Sequence, residues 1–123
     1  MVDIKLKRIY EDPDKQDGYR VLVDKMWPRG KKKEDVHYDA WDKELAPSTE
    51  LREWFHEDAD NRWPDFRKKY EKELSESAAM KDFIDQIKEK DTVTLLYASK
   101  DTEHNQAEVL KEYLDKKLKK NTM

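Results

Sequence analysis

Apolar residues recur along this chain at two spacings, and the switch between them outlines the fold. Val2, Ile4 and Leu6 alternate with Asp3, Lys5 and Lys7, the period-two pattern of a half-exposed strand near a sheet edge. Glu11 to Gly18, EDPDKQDG, has no apolar residue and reads as a turn-rich connection. The run from Tyr19 to Val23 then predicts a buried strand. Within 31–45, Val36, Tyr38 and Ala40 alternate with His37, Asp39 and Trp41, which suits another short strand.

From Pro47 onward the spacing becomes helical. Ser48 is a good N-cap, and Leu51, Trp54 and Phe55 supply the stripe behind it. A second helix is predicted from near Asn61, with Pro64 in its first turn and Trp63, Phe66, Tyr70 and Leu74 on one face. Ser77 caps a third, whose stripe is Met80, Phe83, Ile84 and Ile87. Val93 to Ala98 is the second strongly apolar strand, and Ala107, Leu110, Tyr113, Leu114 and Leu118 form the inner face of a last helix. Strands alternate with helices, and the two central strands are apolar on both faces. That order predicts an α/β fold with helices on both faces of a small, mainly parallel sheet. No repeat, low-complexity stretch or linker interrupts residues 1–123, so a single domain is expected.

Composition sharpens this picture. The chain is 45% charged and 36% hydrophobic, with two glycines, a balance that in many chains leaves too little apolar surface to offset chain entropy. Four Trp, six Tyr and three Phe at regular spacings argue instead for a folded protein with long solvated helix faces. A net charge of −3 argues against nucleic-acid binding through a broad basic footprint. The lysines at 31–33 and at 116, 117, 119 and 120 read as solvated surface. The absence of cysteine excludes disulfides, thiolate-zinc sites and thiol nucleophiles. No apolar run approaches the roughly 18–20 residues of a membrane span, and the N-terminal stretch lacks a signal-peptide core. A cytoplasmic location is therefore expected. His37, His56 and His104 are too scattered to suggest a metal site, and His56 reads as surface at a helix end. No cofactor signature is present either: there is no glycine-rich phosphate loop, G-x-S-x-G elbow or H-E-x-x-H.

Candidate chemistry gathers where the two apolar strands end. In open α/β sheets, ligands bind beyond the carboxyl ends of parallel strands. The first strand runs into Asp24, Lys25, Trp27, Pro28, Arg29 and Gly30, and the second into SKDTEHN, Ser99 to Asn105. If the strands are parallel neighbours, both clusters share one rim. Arg29 and Lys25 would hold a carboxylate or phosphate, and the N–H groups near Thr102 to Asn105 would add an anion-attracting helix N-terminus. His104 would act as acid or base, Asp24 or Asp101 would orient its ring, and Trp27 would form a stacking wall. Trp41 and Lys43, in WDKELAPS, would add to the same rim, the ordinary alternative being an aromatic packed beside a cation in a core. Each residue also has an ordinary reading. Asp101 or Thr102 caps a helix, His104 is a surface residue, Arg29 pairs with one of 29 carboxylates, and Trp27 anchors a loop. Only their co-location favours function.

The blocks GYRVLVDKMWPRG (18–30), WDKELAPSTELREWF (41–55), W-x-x-F-R-x-x-Y (63–70) and VTLLYASKDTEHNQAEVLKEYL (93–114) resemble domain of unknown function 488, in its short YeaO-like branch. The resemblance covers nearly the whole chain. It implies a small α/β domain without a dedicated cofactor and brings no established activity. Longer relatives carry a Cys-His-Arg segment where this chain reads Glu103-His104-Asn105-Gln106, which rules out a thiol mechanism here. Two readings follow. One is a binding site, with or without catalysis, for a small anionic or phosphate-bearing ligand at the strand rim. The other is a non-catalytic module that binds a protein or nucleic-acid partner.

Overall fold

A computed structural model describes residues 2–121, with the side chains of the last three left out. Four strands form one sheet: β1 (Asp3–Arg8), β2 (Tyr19–Leu22), β3 (Ala40–Trp41) and β4 (Thr92–Tyr97). Their order is β1-β4-β2-β3 and every pair is parallel. The α/β class and parallel sheet expected from the sequence are both present. β4 pairs with β1 along its whole length, Asp3 opposite Thr92 through Arg8 opposite Tyr97. On its other side it pairs with β2, Tyr19 opposite Val93 through Leu22 opposite Leu96. β1 is an edge strand, as its alternation predicts. The strand suggested by 36–41 shrinks to two residues at the opposite edge.

Side chains of a strand alternate between faces, and here the two faces are covered differently. Val21, Val23, Val93, Leu95 and Tyr97 meet the buried sides of all four α-helices. These are α1 (Thr49–Glu57), α2 (Ala59–Glu76), α3 (Ala78–Ile87) and α4 (Gln106–Asn121). The opposite face presents Leu22 and Leu96 to Ile9, with Trp27, Val36, Tyr38 and Trp41 packed around them. Its helical cover consists of single 3₁₀ turns, Lys15–Asp17 and Lys33–Asp35, set in loops.

The caps read at Ser48 and Ser77 are in place, whereas the last helix is capped by Asn105 rather than by Asp101 or Thr102. Ser48 Oγ accepts the Leu51 N–H at 3.2 Å and Ser77 Oγ accepts the Met80 N–H at 3.2 Å. Ser48 also donates its N–H (2.9 Å) and hydroxyl (2.6 Å) to Glu73, tying the start of α1 to α2. One boundary differs. α2 begins at Ala59 rather than near Asn61, so Pro64 lies beyond its first turn. Asp58 closes α1 and opens α2 together: its carbonyl accepts the Arg62 N–H at 3.0 Å and its carboxylate accepts Asn61 Nδ2. That junction fixes the helix start before Pro64 is reached. The ring then withholds one intrahelical donor at an exposed position.

The connection before β2 is more than a turn. Asp17 and Arg20 are 5% and 7% exposed. The Asp17 carboxylate takes Arg20 Nη1 and, at 3.0 Å, Lys7 Nζ, while its carbonyl accepts the Thr94 hydroxyl at 2.7 Å. Arg20 also donates from Nε to the His37 carbonyl at 2.6 Å. Gly18 follows with φ 66°, and a Cβ there would collide with the Thr92 carbonyl.

Candidate functional site

β2 and β4 are hydrogen-bonded neighbours, so the loops after them lie on one rim. Asp24 joins them. One of its carboxylate oxygens accepts the Ala98 N–H at 2.8 Å, from the end of β4. The other accepts Gln106 Nε2, from the first turn of α4. Its carbonyl accepts the Trp41 indole N–H at 2.7 Å. Among the described residues, Asp24 therefore receives neutral donors and no direct cation. Burial pushes its carboxyl up to about 6, against the opposing pull of the Ala98 N–H, the Arg52 charge and the Gln106 amide.

Above Asp24 opens a cavity of about 400 Å³, within the range of small-molecule sites. Lys25 through Arg29 form one wall and Ser99, His104 and Asn105 another. α1 contributes Arg52, Phe55 and His56, and α2 contributes Phe66. Tyr10, from the loop after β1, closes the rim, with its hydroxyl donating to the Arg29 carbonyl at 3.1 Å.

The residues singled out from sequence divide into three groups. Asp24, Lys25, Trp27, Arg29, His104 and Asn105 all line the cavity. Within that group, Asn105 is the N-cap of α4: its Oδ1 accepts the Glu108 N–H at 3.0 Å and its Nδ2 donates to the Asp101 carbonyl at 2.8 Å. Trp27 is anchored by its indole N–H to the Lys31 carbonyl and packs edge-on against Tyr38 and Trp41. Lys25 Nζ donates to Thr49 Oγ1 at 2.7 Å. Asp101 is exposed and caps the turn before α4, accepting the His104 and Glu103 N–H groups, each at 2.9 Å. Those bonds hold its carboxyl below the ordinary range. Trp41 and Lys43 stand outside the cavity as a cation–π pair, ammonium 4.2 Å from the ring centroid.

His104 differs from expectation in its partner. Its ring stacks on Trp63, with centroids 4.8 Å apart and planes 25° apart. Among the described residues, neither Asp24 nor Asp101 hydrogen-bonds the imidazole; Asp101 reaches only the His104 backbone.

Arg52 escaped the sequence reading because it belongs to α1, far along the chain from either strand end; His56, read as surface, is exposed and also lines the cavity. The i,i+4 spacing of Arg52 and His56 beside the buried Leu51 and Phe55 was the signal that could have found the arginine. Lys116 and Lys117, from the C-terminal lysine cluster, line a separate groove between α2 and α4 together with Lys68 and Lys72. The side chains of Lys119 and Lys120 lie outside the described residues. Among the described residues, no helix is long and apolar enough to cross a membrane.

The family model described as the inactive DUF488-N3 subclade matches residues 3–123. The uncharacterised protein YeaO of Escherichia coli K12 is 43% identical over 113 residues, covering 92% of this chain and 97% of the relative. The uncharacterised protein Rv3073c of Mycobacterium tuberculosis H37Rv is 38% identical over 112 residues, covering 91% and 93%. No solved structure matches the chain. On the extent of these matches, the chain belongs to the DUF488 family, in the subclade described as inactive DUF488-N3.

Proposed function

We propose that the cavity binds a small molecule bearing a carboxylate or phosphate, held by Arg29 and Arg52 with Lys25 at the rim, and does not turn it over. One observation carries this reading. Of the six arginines, Arg8, Arg20, Arg62 and Arg67 each spend their guanidinium on a carbonyl or carboxylate. Arg29 and Arg52 have no such partner among the described residues, and both line this cavity. In a chain with 29 carboxylates, two unengaged guanidinium groups beside one cavity favour an anion from outside. The α4 N-terminus adds a weaker attraction.

A binding role without turnover is supported by the His104 ring resting on Trp63 rather than on a carboxylate, and by the subclade's description as inactive. The alternative, a protein- or nucleic-acid-binding module, has less behind it. Tyr10 and Met26 are the exposed large hydrophobic side chains among the described residues, and both sit on the cavity rather than on an open face.

Calorimetric titration with inorganic phosphate at low salt and pH 7.5 tests the proposal. Saturable binding in the millimolar range is expected, weakened about tenfold by Arg52→Ala and by Arg29→Ala, which corresponds to about 1.4 kcal/mol each. Absence of saturable binding, or affinity unchanged in both variants, would overturn it.

A further inference from the structure

We infer that the anion bound in this cavity carries an aromatic ring, which lies between Tyr10 and Met26 at the mouth and reaches toward Phe55 and Phe66. This inference rests on the anion-site reading above and specifies its ligand class. The independent observation is where the protein leaves apolar surface in water. Tyr10 is 39% and Met26 64% exposed, and the remaining large hydrophobic side chains of the described residues are better covered. Single exposed apolar residues need no explanation, but these two come from different strand-end loops and line the same cavity.

Their surroundings suit a ring. Tyr10 is held in place by its hydroxyl bond to the Arg29 carbonyl and by Arg8, whose guanidinium carbon lies 5.0 Å from the ring centroid. Met26 is unbranched and polarisable, and a thioether packs well against aromatic groups of varied shape. Deeper in, Phe55 and Phe66 stack on each other at 4.3 Å between centroids and form part of the lining. A cavity of about 400 Å³ is larger than a bare phosphate or carboxylate requires. The cationic groups fix one end of such a ligand, and the apolar mouth and floor take the other.

A matched pair of probes separates this inference from the reading beneath it. Phenyl phosphate and inorganic phosphate are titrated into the full chain under identical conditions. Phenyl phosphate is expected to bind at least about tenfold more tightly, an increment in keeping with the burial and stacking of one ring. Met26→Ser, at an exposed position, should remove much of that increment and leave inorganic phosphate binding unchanged. Tyr10→Ala should remove more of it than Tyr10→Phe, since both lose the hydroxyl bond to the Arg29 carbonyl and only the first loses the ring. Equal affinity for the two probes, or an increment that survives both Met26→Ser and Tyr10→Ala, would overturn the aromatic assignment while leaving the anion site standing. Failure of both probes to bind would overturn both.

Discussion

Two carboxylates flank β2, and the fold treats them in opposite ways. Asp17, just before the strand, is buried and gripped by Lys7 and Arg20. Burial works against its charge, but the Asp14 N–H and the two cations outweigh burial and hold the carboxyl below its ordinary value. Asp24, just after the strand, meets only the neutral Ala98 and Gln106 donors among the described residues, and there burial prevails. What separates them is whether a cation is fastened to the carboxylate. At the Asp17 end the charges neutralise one another and lock loops to the sheet. At the Asp24 end Arg29 and Arg52 stay uncommitted beside a cavity. The first arrangement holds structure, and the second leaves charge available.

The largest test of this contrast is Arg20→Ala. It strips Asp17 of its closest cation and unfastens the His37 carbonyl, and removing one partner of a buried ion pair costs about 3–5 kcal/mol. Urea denaturation should show that loss. A change below about 1 kcal/mol would mean that the network is ornamental.

Next comes pH. The folded value of Asp24, about 6, lies above its ordinary 3.8, so the native state holds this proton more tightly than the unfolded chain does. Its contribution to stability falls as pH rises from about 4 through about 6, then levels off. Asp17 has the opposite sign, and its contribution is lost only as pH drops below about 4 toward its lowered folded value. Asp24→Asn should therefore remove a decline of about 2–3 kcal/mol across the upper window. Denaturation of both proteins between pH 4 and 7.5 checks this, and parallel profiles would contradict it.

A smaller effect is expected at Asn105→Ala, which deletes the α4 cap and should cost about 1 kcal/mol. Smallest of all is the effect of Arg52→Ala on folding. With no hydrogen bond or ion pair among the described residues to lose, it should shift stability by under about 0.5 kcal/mol while weakening phosphate binding. A loss as large as that of Arg20→Ala would erase the distinction between the two ends of β2.

Much of this was legible in the chain. The apolar runs at 19–23 and 93–98 marked the central strands, and Ser48 and Ser77 marked two helix starts, because those signals are local. The start of α2 was misplaced because Asp58 serves two helices at once, and Pro64 drew attention to the wrong turn. The buried Asp17 was invisible inside a polar run, since its partners Lys7 and Arg20 lie on separate strands. Arg52 was missed for the same reason. Trp41 and Lys43 sit near the rim in sequence terms, yet their pairing beside Trp27 keeps them off the cavity. Contacts made by packing leave little trace in local pattern.

The strand order carries a further consequence, for how the molecule comes into being. β1 and β2 do not touch; each is joined to the sheet through β4, which spans residues 92–97. On a ribosome, the first ninety or so residues therefore emerge with their strands waiting for a partner not yet made, apart from the two-residue match of β2 with β3. Such distant pairing makes sheet assembly late and slow compared with helix formation. The bond from Asp24 to the Ala98 N–H can close only once β4 has slotted between its neighbours. The cavity is thus among the last features to form, and its presence certifies that the sheet is complete.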